Sequence, residues 1–164
     1  MTNNTLEAAR KTAYRYLETT ARSRNEIERR LERGGFPEEV VAQVIVEIEE
    51  RGWLNDTEFA RSWVEDRADR KQYGQRRLSA ELQRKGIDSA TISETLLVVT
   101  PEDELVRAIG AISKKFPTES LASLSGAVLQ SEKRKIANYL LRRGFGWSII
   151  TQVYKHLMVN SEEY

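Results

Sequence analysis

One phrase returns three times along the chain: an apolar residue, a second four positions later, a glycine four further on, and a large apolar residue directly after it. It reads Ile27, Leu31, Gly35-Phe36, then Leu78, Leu82, Gly86-Ile87, then Ile136, Leu140, Gly144-Phe145. Side chains four apart stand above one another on a helix face, and a glycine after the last turn supplies the left-handed backbone that ends a helix. Each phrase therefore predicts a helix with its stop. The repetition continues past the glycine. Val40, Val41, Val44, Ile45 and Ile48 lie 5, 6, 9, 10 and 13 residues past Gly35, and Ile149, Ile150, Val153, Tyr154 and Leu157 lie at the same offsets past Gly144. The middle copy keeps Ile92, Leu96 and Val99 and weakens to Thr91 and Thr95. Spacings of 51 and 58 residues between the glycines are long for a common solenoid, yet they mark an internally repeated helical unit.

Start signals fall where this repeat needs them. Ser23-Arg24-Asn25-Glu26 has the spacing of a capping box, Asn55-Asp56-Thr57-Glu58 offers a similar start, and Thr100-Pro101-Glu102-Asp103 joins an N-cap to a proline at the first helical position. The pattern predicts an all-α chain of about nine helices, near 5–20, 24–33, 37–51, 56–71, 75–85, 89–99, 101–115, 131–143 and 147–158. These form three tandem three-helix repeats over residues 1–54, 55–100 and 101–164, with a loop at about 116–130 that absorbs the longer second spacing. Cores in series of this kind predict an elongated, curved array. In the leading helices Tyr14 and Leu17, then Phe59, Trp63 and Val64, then Leu105, Ile109 and Ile112 share one face.

Composition narrows the function classes. With no cysteine, disulfides, thiolate metal sites and a cysteine nucleophile are excluded. The phosphate-loop, dinucleotide-binding, zinc-protease and serine-hydrolase signatures are absent, so no catalytic, cofactor-binding or metal residue is assigned. The one histidine, His156, falls near the end of the last helix, where it favours the helix dipole. Carboxylate pairs such as Glu49-Glu50 and Asp103-Glu104 read as solvated helical charges, without the apolar enclosure that acid catalysis needs. The reading is a non-enzyme with no cofactor and no small-molecule substrate. No apolar run approaches the roughly 18 residues of a membrane helix, and the first residues do not begin a signal peptide, which predicts a cytoplasmic protein with no membrane partner.

Net charge is only +1, but its distribution is uneven. From Arg67 to Lys85 seven basic residues stand against Asp69 and Glu81, while from Glu38 to Glu58 seven acidic residues stand against Arg51. The helix before each stop glycine carries the positive bias. The candidate partner-binding residues are Arg24, Arg29, Arg30, Arg70, Lys71, Arg76, Arg77, Arg84 and Lys85, followed by Lys133, Arg134, Arg142 and Arg143. At Arg70 to Arg77 a Tyr73-Gly74 break separates two basic helical segments, so side-chain donors converge on a turn where backbone amides at a helix start are expected to point outward. Tyr73 itself reads first as a plug of the core at that turn, and the bland alternative for the whole set is ordinary solvated helix surface. Trp53, Trp63 and Trp147 could serve as stacking platforms, although the spacing of Trp63 from Phe59 places it in the core.

At these residues the chain resembles the RecX family, bacterial regulatory proteins that modulate the RecA recombinase. The resemblance runs through Arg22 to Phe36, Arg51 to Ile87 and Ser131 to Phe145. Most specific are the opening from Leu54 to Ala60, the K-x-Y-G-x-x-R turn from Lys71 to Arg77 with Leu78 after it, and the close from Glu81 to Ile87. It implies three three-helix repeats without catalysis that bind the RecA–DNA filament along its groove and restrain RecA ATPase, strand exchange and co-protease activity. Between Pro101 and Gly126 the match is too loose to carry a contact. The alternative is a helical-repeat DNA-binding protein that competes with the recombinase for single- or double-stranded DNA. Near-neutral charge weighs against it, because non-specific DNA binding runs on phosphate neutralisation.

Overall fold

A computed structural model of the chain describes residues 2–116, 121 and 124–159. Among the described residues there are nine helices and no strand: α1 (Thr2–Thr19), α2 (Arg24–Arg33), α3 (Glu38–Glu50), α4 (Asp56–Lys71), α5 (Gln75–Arg84), α6 (Ser89–Leu97), α7 (Pro101–Ser113), α8 (Gly126–Arg142) and α9 (Trp147–Val159). None of them is long and apolar enough to cross a membrane.

The repeated phrase is a repeated C-cap. Gly35, Gly86 and Gly144 have φ of 76°, 79° and 88°. In each copy the glycine N–H donates to a carbonyl near the helix end, that of Glu32, Gln83 or Leu141. The apolar residue after it donates further back, Phe36 to Leu31, Ile87 to Leu82 and Phe145 to Leu140. This is a Schellman closure, which satisfies the last carbonyls and folds the chain back over the apolar stripe. The stripe itself is buried: Ile27, Leu31, Leu78, Leu82, Ile136 and Leu140 expose at most 1% of their surface. Past the glycines Val41, Val44, Ile45 and Ile48 are buried on α3, Ile149, Ile150, Val153 and Leu157 on α9, and Ile92, Thr95 and Val99 in and after α6, in keeping with the offsets.

Two start signals are complete capping boxes. Ser23 Oγ accepts from the Glu26 N–H while the Glu26 carboxylate accepts from the Ser23 N–H, and Thr100 and Asp103 do the same ahead of Pro101. Each is worth about 1 kcal/mol to its helix. Asn55 Oδ1 accepts from the Glu58 N–H at 3.1 Å.

One boundary differs. The loop expected to reach residue 130 gives way to helix at Gly126, with Ser125 extended ahead of it (φ −136°, ψ 165°) and no side-chain cap. A helix start without a capping side chain leaves no signature, and Ala127, Leu129 and Gln130 are good helix formers. Residues 117–120 and 122–123 of the expected loop lie outside the described residues. The Asp103-Glu104 pair also departs from the solvated charges that the sequence predicts. Asp103 is exposed, but Glu104 is 8% exposed, a buried carboxylate and not a solvated one.

The chain forms two compact units, Met1–Trp63 with Glu81–Thr95 and Val64–Ala80 with Leu96–Tyr164, so the division falls within α4 and α5 instead of between repeats. The first unit has a core of Ala9, Ala13, Ile27, Leu31, Val41, Val44, Ile45, Ile48 and Leu54. The second is built around Ile112, Leu121, Ile136, Leu140, Phe145, Ile150 and Val153.

Candidate interaction surface

In the first unit the capping residue of α2 does double service. Ser23 is fully buried, and its hydroxyl donates to the Lys85 carbonyl at 2.6 Å, directly before the stop glycine of α5. Gly86 faces Asn25 so closely that a Cβ there would lie 2.3 Å from the Asn25 Cβ. The contact brings the start of α2 beside the end of α5, and a groove of about 420 Å³ opens there, lined by Tyr16, Asn25, Glu26, Arg29, Glu32, Arg33, Arg84 and Lys85.

Three of the candidate cations, Arg29, Arg84 and Lys85, line that groove. Arg29 and Arg84 are exposed on it, whereas the Lys85 ammonium is held, 2.6 Å from Glu26 and 4.7 Å above the Trp63 ring. Trp63 is only partly buried: it stacks on Phe59 (5.7 Å, 24°) and its indole N–H donates to Glu81. Arg24 is turned elsewhere, paired with Glu28 and Glu49 at 2.9 Å each, with its own N–H on Asp56. Its charge therefore neutralises part of the acidic α3. Arg30 lies 5.9 Å from the Tyr16 ring centroid, and Arg22, absent from the candidate set, sits at 4.2 Å. Burial is the largest influence on the Glu26 carboxyl and pushes its pKa up, but the Lys85 ammonium and the Ser23 N–H together pull it below the ordinary value.

In the second unit the same joint recurs with different atoms. The Gly74 N–H donates to the Arg143 carbonyl at 2.9 Å, and Arg143 again directly precedes a stop glycine. A Cβ on Gly74 would lie 2.5 Å from the Gly144 backbone, and one on Gly144 would lie 2.4 Å from the Arg77 backbone nitrogen. Gly74 is thus required for close approach; the left-handed position of this turn belongs to Gln72, with φ 52°. Ser23 and Gly74 stand at equivalent places, four residues before Ile27 and Leu78.

This joint gathers candidates from both ranks. Arg77 lies 3.9 Å over the Tyr73 ring and donates to the Arg142 carbonyl at 3.1 Å. Arg143 lies 5.9 Å from the Tyr73 centroid and 4.8 Å from that of Tyr139, and its guanidinium donates to the Lys71 carbonyl. Tyr73 is therefore neither a full core plug nor a free platform; it is the surface on which two arginines are stacked. Such cation–π contacts are worth about 0.5–1 kcal/mol at exposed sites and fix the direction of each guanidinium. Around them Lys71, Arg76 and Arg142 are exposed. Arg70 pairs with Asp66 at 2.9 Å. Lys133 lies over the Tyr154 ring at 5.5 Å, and Arg134 is exposed beside it on α8.

The backbone amides at the start of α5 do not point outward. Gly74 N–H is taken by Arg143, Gln75 N–H by a Glu104 carboxylate oxygen at 2.9 Å, Arg76 N–H by Gly144 and Arg77 N–H by Gly74. A helix start can cradle an anion only with unused donors. The expected amide contribution is therefore absent, and any anion meets side chains alone. Gln75 Nε2 adds a bond to the Val99 carbonyl at 2.7 Å, anchoring the turn a second time. Nothing in the sequence marks Glu104 or Val99 as partners of this turn, since the contacts span 29 and 24 residues.

Two family descriptions match the chain: "RecX, first three-helix domain" over residues 9–47 and "RecX, second three-helix domain" over residues 55–96. The "Regulatory protein RecX" of Mycolicibacterium smegmatis is 33% identical, over 96% of this chain and 83% of that protein. That of Streptomyces coelicolor is 28% identical over 96% and 81%. Among solved structures, RecX from Lactobacillus salivarius superposes with a TM-score of 0.84 at 22% identity, covering 96% of this chain and 99% of that one, which makes the fold the same. Helices in threes, the stop glycines and the Tyr73-Gly74 turn thus coincide with relatedness along almost the whole length, and the chain belongs to the RecX family of regulatory proteins.

Proposed function

We propose that this protein binds the RecA–DNA filament in its groove through the basic surfaces of its helical repeats and restrains RecA ATPase, strand exchange and co-protease activity without chemistry of its own. The observation that carries the reading is the joint at Gly74 and Arg143, which brings Arg77 and Arg143 onto the Tyr73 ring, with the exposed Lys71, Arg76 and Arg142 adjoining them in sequence. Arginines held by stacking keep their forks oriented for carboxylates, so they bind a protein groove with less ordering cost than free side chains. A chain lodged along several protomers opposes the rotations that accompany ATP turnover and occupies the path of a second duplex. Its place of action is the cytoplasm.

Two features favour a protein partner over bare nucleic acid. The α5 amides are already bonded, so the turn offers no phosphate cradle. The groove of the first unit carries Glu26 and Glu32 among its cations, and these repel a phosphodiester backbone. Weak DNA contact alongside the protein contact is compatible with both.

Co-sedimentation with pre-formed RecA filaments, with and without DNA, tests the reading. The triple variant Lys71→Glu, Arg76→Glu, Arg77→Glu should lose association while keeping its helicity, since Lys71 and Arg76 are exposed and the half-buried Arg77 gives up only its stack on Tyr73 and its bond to the Arg142 carbonyl, about 1 kcal/mol each. Equal association of parent and variant at low and high salt would remove this surface from the mechanism.

A further inference from the structure

Glu104 is the one acidic residue that is buried among the described residues. A carboxylate out of water is costly unless bonded, and its bonding shows what it is for. Its oxygen accepts from the Gln75 backbone N–H, at the first turn of α5. Gly74 has no side chain with which to cap that helix, and a carboxylate at the positive end of a helix is favourably placed. Three residues on, Arg107 has its Nε and Nη2 buried without a hydrogen-bond partner among the described residues. A second anchor on the same helix lies at Gly110, where a Cβ would come 2.6 Å from Gln72 Nε2, so the Gln72 side chain lies against α7.

The geometry points to Glu104 as a positioning residue for the basic turn from Lys71 to Arg77, a cap lent by α7 that sets where Arg76 and Arg77 stand; the inference rests on the proposed filament binding. At 8% exposure Glu104 does not itself meet a partner. It acts through Gln75. Without the acceptor, the Gln75 N–H is left unbonded: the turn keeps its bonds to the Arg143, Gly144 and Val99 carbonyls but loses the tie from its first helical amide to α7, on which the placing of the Arg77 stack depends.

A double-variant cycle on the full chain tests this, with pre-formed RecA filaments on single-stranded DNA as the probe. Glu104→Ala should weaken association about tenfold, the scale of losing a hydrogen bond to a charged group. Glu104→Gln, which keeps an acceptor oxygen, should restore it to within about twofold. In the Lys71→Glu, Arg76→Glu, Arg77→Glu background, Glu104→Ala should cause no further loss, because there is no basic turn left to place. An equal loss in both backgrounds would overturn the inference, as would a Gln variant no better than Ala. Amide hydrogen exchange provides an arm independent of the partner: Glu104→Ala should speed exchange at Gln75, Arg76 and Arg77 while Leu31 stays protected. Unchanged exchange there overturns the role of Glu104, whereas a triple-Glu chain that binds like the parent overturns the filament-binding surface instead.

Discussion

Ser23 and Lys85 are 62 residues apart, and the Ser23 hydroxyl donates to the Lys85 carbonyl at 2.6 Å while also capping its own helix. One hydroxyl therefore serves local and tertiary structure at once. Its counterpart in the second unit is a backbone bond, Gly74 to Arg143. A polar joint of this kind fixes register more sharply than apolar contact, because a slip of one residue leaves a buried donor unbonded.

Ser23→Ala removes both functions. The expected loss is about 2 kcal/mol, one part for the cap and one for the buried joint, read as a lower denaturant midpoint with unchanged slope. A loss no larger than that of Thr100→Ala, which removes a cap and no joint, would mean that the Lys85 contact contributes nothing.

The stop glycines should differ from one another. A Cβ on Gly35 meets nothing within 4 Å, so Gly35→Ala should cost only the left-handed strain, about 1 kcal/mol. On Gly144 a Cβ collides with Arg77 backbone, so Gly144→Ala must displace the joint and should cost on the order of 3 kcal/mol or more. Thermal melts of the two variants side by side make the comparison.

Leu82 is fully buried, and Leu82→Asp places an unpartnered carboxylate there. A penalty of several kcal/mol is comparable to the whole stability of a small helical unit. The far-ultraviolet circular dichroism of that variant should fall well below the parent at the same temperature; a parental melt would show that Leu82 is not core.

The Glu26–Lys85 pair should be visible as a pH dependence. The folded Glu26 pKa lies below the unfolded one, so its stabilisation is present above the unfolded value and is lost as the pH falls through the folded one. From roughly pH 5 to pH 3 the parent's melting temperature should therefore drop more steeply than that of Lys85→Met, which lacks the partner. Parallel curves would mean the pair adds nothing to folding.

Most of the fold is legible in the sequence because it is written in local chemistry. Leu82 and Gly86 are a helix stripe and its stop whatever surrounds them, and the Ser23 and Thr100 boxes need only the next three residues. The surface is legible only in part. Charge and spacing bring out Arg76, Arg77, Arg142 and Arg143, but they do not say that Arg24 faces the acidic α3, that Lys85 is held by Glu26 and Trp63, or that Tyr73 carries two arginines. Those depend on contacts across dozens of residues. Glu104 defeats a local reading for the same reason: its neighbours in sequence are exposed acids, and its partner is at Gln75. The early start of α8 leaves no trace in the sequence because Ser125 caps it with no side-chain bond.

Steady-state ATP turnover by RecA on pre-formed filaments tests filament restraint most directly. If the chain lodges along assembled protomers, it should suppress DNA-dependent hydrolysis at ratios well below one per protomer, since one clamped stretch holds its neighbours, and a several-fold excess of single-stranded DNA should leave the suppression in place. Suppression that needs enough protein to coat the strand, that excess single-stranded DNA fully relieves, and that falls steeply with salt would contradict filament restraint and identify a competitor for DNA.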